Sequence, residues 1–357
     1  MPSWSERKRH DQMTSRFREA MEANPGSTHE IWYSFGSRAT RVRILGDRLA
    51  ERLAPALCHL ILAPDERRCA RLRIDLWDQG AVGVDPDLDV QPDPLGVSSS
   101  FFMSEDQRHV TSVLQHSIAS FDRQEQHIVG VTFDAMRISL YEWGRPLHIP
   151  LALWYNDRDL PLVHAALVSL GGRGILLAGP SEAGKTTSSL SCLEEGFRYL
   201  ADDLVALQIG PDGAWGHSIY GSAFVDDDAL ARTTSIRGRA ISGTYDYEDK
   251  KLVFISRLLP LRLMDKTRIN AVALTSLGDR QQTYAEPAAK ADSLMTLARS
   301  SLHTGVLSPA RRGFESLGEL VRRTPTFQVA LGTDPQTIPA RLRELLDHDL
   351  PPAGSEP

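Results

Sequence analysis

Gly179-Pro180-Ser181-Glu182-Ala183-Gly184-Lys185-Thr186 is a complete G-x-x-x-x-G-K-T run, and it constrains the fold of this chain more than any other stretch. Such a run needs a buried strand before it and a helix after it. Both are present in the letters. Ile175-Leu176-Leu177-Ala178 is a short apolar run suited to a buried strand, and Lys185 to Glu195 reads as a helix stopped by Gly196. The glycines let the backbone curl so that N–H groups point inward, and the helix N-terminus adds the positive end of its dipole, so the turn cradles an anion. Gly179, Pro180, Ser181, Glu182, Ala183, Gly184, Lys185, Thr186 and Thr187 are therefore the expected nucleotide-binding set. Lys185 is placed to reach the β- and γ-phosphates and the Thr186 hydroxyl to bind Mg²⁺, which makes ATP with Mg²⁺ the expected ligand.

The flanks add candidate chemistry. Val163 to Leu170 is a second β-prone run, separated from the loop strand only by Gly171-Gly172-Arg173-Gly174, so the two runs predict a tight antiparallel hairpin. With that turn centred near Gly172, His164 stands level with Pro180 at the mouth of the loop. Beyond the helix, Phe197 to Ala201 predicts a strand parallel to the loop strand, ending at Asp202-Asp203. Ligands of such sheets sit at the carboxyl ends of the strands. Of two adjacent carboxylates there, one can bind Mg²⁺ and the other can take the proton of an attacking hydroxyl, with a nearby imidazole orienting it.

These residues resemble a known family. Leu162 to Val168, Gly174 to Thr186 and Gly196 to Asp203 look like the catalytic domain of HPr kinase/phosphorylase. Nearly the whole chain, including Leu320 to Phe327, Leu331 to Asp334 and Ile338-Pro339, resembles the HPr-kinase-related proteins found beside asparagine-synthetase-like and PqqD-like partners in bacterial peptide-modifying clusters, lasso peptide kinases among them. The resemblance implies an α/β fold: an HPr kinase-like P-loop catalytic domain, a mixed sheet with helices, preceded by a smaller mixed α/β domain. It implies Asp202 as general base, His164 as its partner, Lys185 as the third catalytic residue, and Asp203 beside Thr186 on the Mg²⁺ side. The expected activity is transfer of a phosphoryl group from ATP to a hydroxyl, a serine of a ribosomally made precursor peptide. Alternatives are a small hydroxyl substrate at the same site, or a nucleotide-binding accessory protein of such a cluster. The chain departs from HPr kinase at Thr187, where that enzyme carries an acidic residue, and in the loop interior Pro180 to Ala183. It also lacks the later arginine-bearing segment, so neither phosphorolysis nor a hexamer is expected, and HPr itself is not the expected substrate.

Length and composition set the frame. With 357 residues and 41% hydrophobic content the chain has room for two cored domains. The expected divisions are a helical or loose tail over 1–26, an N-terminal domain over 27–155 that could recognise substrate, the catalytic domain over 156–350, and a disordered tail over 351–357. A formal charge of −6 gives no footprint for nucleic acid. No apolar run is long enough for a membrane, and Met1 to Asn24 is too polar for a signal peptide, so a cytoplasmic protein is expected, compatible with a homo-oligomer. Cys58, Cys69 and Cys192 have no metal spacing and are expected as reduced thiols. In the N-terminal domain Thr40 to Leu45, Ala70 to Trp77 and Val129 to Trp143 read as strands, divided by an Asp/Pro-rich loop over Val84 to Val97. Trp32, Trp77, Trp143 and Trp154 could line a peptide groove, with core packing the favoured reading. Lys250-Lys251 could clamp phosphate or substrate, with a solvated turn the favoured reading, and Asp226 to Asp228 read as a solvated turn or helix start in preference to a metal site.

Overall fold

Met13, Phe17 and Ala20 recur at helical spacing within an otherwise charged stretch, and they turn the expected tail into a packed helix, α1 (Glu6–Ala23). All three are buried, against Leu45, Trp77, Ile118, Val129 and Val131. The Ser5 hydroxyl caps the helix by accepting from the Lys8 N–H. High charge hid this stripe in the sequence, where three apolar positions suffice to dock a helix whose outer face is solvated.

The computed structural model describes residues 5–92, 100–243, 250–302 and 310–347. The chain divides into two units, Met1–Trp154 with Ile241–Ser256, and Tyr155–Ala240 with Arg257–Pro357. After α1, the first unit contains β1 (Thr28–Phe35), β2 (Arg38–Leu45), α2 (Asp47–Leu57), β3 (Leu72–Asp78), α3 (Gln79–Val82), β4 (Ser100–Met103), β5 (His109–Val113), β6 (Ser117–Asp122), β7 (His127–Thr132), α4 (Leu140–Gly144) and the start of α5 (His148–Asn156). Its sheet runs β1-β2-β3-β7-β6-β5-β4, parallel only at β2/β3 and β3/β7. The run Val129 to Trp143 is not one strand: it breaks after Thr132, and Ser139 and Glu142 then form a reciprocal capping box that starts α4. Trp77 and Trp154 are fully buried, so both belong to the core. Of the expected Asp/Pro-rich loop, residues 84–92 carry no regular element and 93–97 lie outside the described residues. The expected tail 351–357 also lies outside them.

The rest of the chain forms β8 (Leu162–Val163), β9 (Ala166–Leu170), β10 (Arg173–Ala178), α6 (Lys185–Glu194), β11 (Arg198–Ala201), β12 (Val205–Gly210), β13 (Gly213–His217), β14 (Ser222–Val225), α7 (Asp227–Arg232), β15 (Lys251–Phe254), α8 (Ile255–Leu258), β16 (Lys266–Leu277), β17 (Tyr284–Pro287), α9 (Lys290–Leu302), α10 (Ala310–Arg323), β18 (Thr326–Leu331) and α11 (Thr337–Asp347). In the second unit a mixed sheet runs β11-β9-β10-β16-β13-β12-β8, with β18 beside the later half of β16 and β17 beside β18. Alternation along the central strands divides the core in two. Leu176 and Ala178 of β10, with Val272 and Leu274 of β16, face Leu297, Leu317 and Leu320 of α9 and α10. Ile175 and Leu177, with Ala271 and Ala273, face Cys192, Leu342 and Leu345 of α6 and α11. Helices on both faces hold the central strands rigid and leave their carboxyl ends to carry loops. Asp226, expected as a turn or a helix start, caps α7 by accepting from the Ala229 N–H at 2.7 Å.

Candidate active site

The strand, turn and helix expected around the G-x-x-x-x-G-K-T run are β10, residues 179–184 and α6. Gly179 is required by crowding: a Cβ there would lie 2.8 Å from the Thr275 carbonyl oxygen and 2.9 Å from the Ala183 Cβ. Gly184 is required twice over, since its φ is +77° and a Cβ would meet Leu331 Cδ1 at 2.4 Å. Thr275 steadies the turn by donating from its hydroxyl to the Ala178 carbonyl at 3.3 Å. This residue lies far downstream on β16 and has no signal in the motif.

Lys185 is buried at the first position of α6, and its ammonium donates to the carbonyls of Gly179 and Pro180 at 2.9 and 2.8 Å. The charge is thus held inside the curl of the loop, where an anion would sit. Thr186 and Thr187 follow in the first helical turn, both partly exposed. The Ser189 hydroxyl donates to the Thr186 carbonyl at 2.9 Å and lies 3.4 Å from Asp202 Oδ1, tying the start of α6 to the end of β11.

The hairpin forms between β9 and β10, but through a two-residue turn, Gly171-Gly172, with φ of +58° and +80°. Leu170 therefore pairs with Arg173, one step from the expected register, and the ladder ends at Ala166 opposite Leu177, so His164 lies just beyond it and not in a strand pair with Pro180. β11 runs in the same direction as β10 with β9 between them, antiparallel to both. The β9–β11 ladder carries an irregularity between Tyr199 and Ala201. One extra residue reverses which side chain faces which side.

The consequence appears at the carboxylates. His164 Nε2 lies 2.9 Å from Asp203 Oδ1, so the imidazole pairs with Asp203, whereas Asp202 was its expected partner. The side chains of His164 and Asp203 are 24% and 27% exposed, whereas Asp202 is buried. Asp202 faces the first turns of α6 and Asp203 faces the imidazole. His164 is fixed from its backbone as well, its N–H donating to the Ser301 hydroxyl of α9 at 3.3 Å.

The donor set fits a magnesium nucleotide. A hydroxyl at Thr186, carboxylates at Asp202 and Asp203, and a glycine-lined cradle behind Lys185 meet the few protein ligands that Mg²⁺ needs when phosphate and water complete its shell. Among the described residues no group of three or more His, Cys, Asp or Glu side chains could hold a metal ion by itself. No helix among them is long and apolar enough to cross a membrane.

No protein-family model matches the chain, and no curated protein matches it. Among solved structures it is similar to the Hpr(Ser) kinase/phosphatase from Coxiella burnetii, at 13% identity over 52% of this chain and 93% of that one, with a TM-score of 0.27.

Proposed function

We propose that the protein is an HPr-kinase-like ATP-dependent kinase that phosphorylates a hydroxyl, a serine of a ribosomally made precursor peptide. The observation that carries this reading is the carboxylate–imidazole pair Asp203–His164 on the same sheet edge as the phosphate loop. An anion cradle alone binds nucleotide; a cradle beside an accessible carboxylate can also take a proton from an acceptor.

Lys185 and the loop N–H groups hold the phosphates, and the Thr186 hydroxyl and Asp202 hold Mg²⁺. When bound, Mg²⁺ neutralises the charge that gathers on the phosphate oxygens. Asp203, oriented by His164, accepts the proton of the acceptor hydroxyl as that oxygen bonds to the γ-phosphorus. The bond from the γ-phosphorus to the β–γ bridging oxygen breaks, and its electron pair leaves on ADP. The two aspartates thus exchange the roles that the family resemblance implies. Exposure supports the exchange, because an acceptor can reach Asp203 while Asp202 is enclosed. The peptide acceptor rests on the sequence resemblance to kinases of peptide-modifying clusters.

Mass spectrometry of precursor peptides ending in serine, incubated with the protein and MgATP, should show one added phosphoryl group on that serine. Asp203→Asn should slow transfer about 10²- to 10⁴-fold with MgATP affinity unchanged, while Asp202→Asn should weaken MgATP binding. Full activity in Asp203→Asn would remove it as the base. Transfer to a free metabolite and to no peptide would replace the peptide by a small alcohol.

A further inference from the structure

In the first unit, the sheet face beneath α1 changes from apolar to polar along the strands. One row across it carries Leu45, Trp77, Val131, Ile118 and Val113, which pack with Met13 and Phe17. The next row on the same face carries Arg43, Asp75, Val129, Ser120 and Thr111, four of them polar, and the row beyond carries Arg41, Arg73, His127, Asp122 and His109. From α1, Arg7, His10, Asp11, Thr14, Phe17 and Arg18 fall on one stripe of the helix. That stripe and the polar rows enclose a cavity of about 380 Å³. Small-ligand sites typically begin near this size, roughly 300 Å³.

The floor of the cavity has its charges matched. Arg43 grips both oxygens of Asp75 at 2.7 Å each, and Arg108 grips Asp122 at 3.0 and 2.7 Å. His127 Nε2 lies 3.0 Å from Asp75, and His109 Nε2 lies 3.3 Å from Asp122. His10 joins the two halves, with Nδ1 3.1 Å from the Ser120 hydroxyl and Nε2 3.3 Å from His127 Nδ1. Bidentate pairing leaves these carboxylates little capacity for a ligand.

The rim is different. The Arg7 guanidinium lies 3.7 Å from the Asp11 carboxylate, and that of Arg73 lies 3.9 Å from the Glu125 carboxylate and donates to the Glu125 backbone carbonyl at a long 3.4 Å. Arg18 has no ion pair among the described residues. All three guanidinium-bearing residues are exposed at the edge of one cavity. On its α1 wall the buried Thr14 hydroxyl has no hydrogen-bond partner. An apolar layer would dock α1 at a lower desolvation cost.

We propose that this cavity binds a small organic anion, its carboxylate or phosphate group held by Arg7, Arg18 and Arg73 and a hydroxyl group bonded to Thr14. The site is separate from the phosphate loop and does not rest on the kinase reading.

Calorimetry on the full-length chain carrying Lys185→Ala, which disables the loop as a rival anion site, tests it with malate and with glycerol 3-phosphate. At least one should bind with a dissociation constant of about 1 mM or tighter, and the preferred probe tells carboxylate from phosphate. Adding Arg18→Ala and Arg73→Ala should weaken that binding at least about tenfold. Both side chains are exposed, so the melting temperature without ligand should hold; should it fall, Arg18→Gln alone serves in their place, with weaker binding again expected. No binding of either probe, or binding that ignores the arginine substitutions, would overturn the proposal.

Discussion

Glu182 sits in the phosphate loop with φ of +62°, a left-handed conformation that glycine adopts freely and glutamate does not. It lies in a tight turn, closed by the Ala183 N–H donating to the Pro180 carbonyl at 3.3 Å and followed by Gly184 with φ of +77°. Glu182→Gly should therefore relieve strain of roughly 1 kcal/mol, partly offset by the greater unfolded-state freedom of glycine. Chemical denaturation should show a net gain or no change, and a clear loss would mean that the Glu182 side chain makes a stabilising contact outweighing its strain. The motif predicts the strand, turn and helix that form there. It does not decide between Asp202 and Asp203. Adjacent residues at a strand end point in opposite directions, and which one meets His164 depends on the irregularity in β11 and the two-residue turn before β10, neither of which is written in the composition of those strands.

At the scale of elements, α1 and the polar rows beneath it form an acid-sensitive joint. Burial, with His127 alongside, drives His10 down to about 3, so it stays neutral in the fold where an unfolded histidine would take a proton near 6.5. A depressed histidine contributes full stability above its unfolded value, and that stability drains as pH falls through the window from about 6.5 to 3. Asp122 acts in the same sense. Its burial would raise it, but the bonds from Arg108 and from the Glu125 and Gln124 N–H groups outweigh burial and hold it below the usual carboxylate range, so its contribution is lost at lower pH still. Stability of this unit should fall by about 1 kcal/mol per pH unit below roughly pH 6. His10→Gln, which cannot titrate, should flatten that slope in melting temperatures taken from pH 7 to pH 5. An unchanged slope would mean that another group governs it. Strands such as β2, β3 and β10 were legible because their apolar, β-prone residues are the ones they bury. α1 was expected as a helical or loose tail, and its docking was not legible because half of its buried face is polar, and hydrophobic patterning is blind to side chains buried in hydrogen-bonded pairs.

Across the whole molecule, the expected division into an N-terminal domain and a later catalytic one misses a return of the chain. Ile241–Ser256 belongs with the first unit, although the sequence carries it well after the phosphate loop. The reason is local burial. Phe254 meets the Trp143 ring at 5.3 Å, the Ser256 hydroxyl donates to the Pro55 carbonyl, Ile241 bridges to Leu252, and Gly243 sits so close to Leu140 that a Cβ would lie 3.2 Å from its Cγ. Nothing in a run such as Leu252-Val253-Phe254 states which core it will enter; it reads as a strand in either unit. A fragment ending at Trp154 would lack this segment and leave Trp143 and Leu140 uncovered. With each large apolar side chain worth about 1.5 to 3 kcal/mol when buried, and whole domains stable by only about 5 to 15, the loss of Leu252 and Phe254 alone consumes much of the margin. The fragment 1–154 should therefore melt well below the corresponding transition of the full chain, and a synthetic peptide spanning 241–256 should raise its melting temperature in a concentration-dependent way. A peptide with Phe254→Ala should raise it less. If fragment 1–154 matches the full chain without the peptide, the returning segment is an accessory strand and the first unit is complete at Trp154.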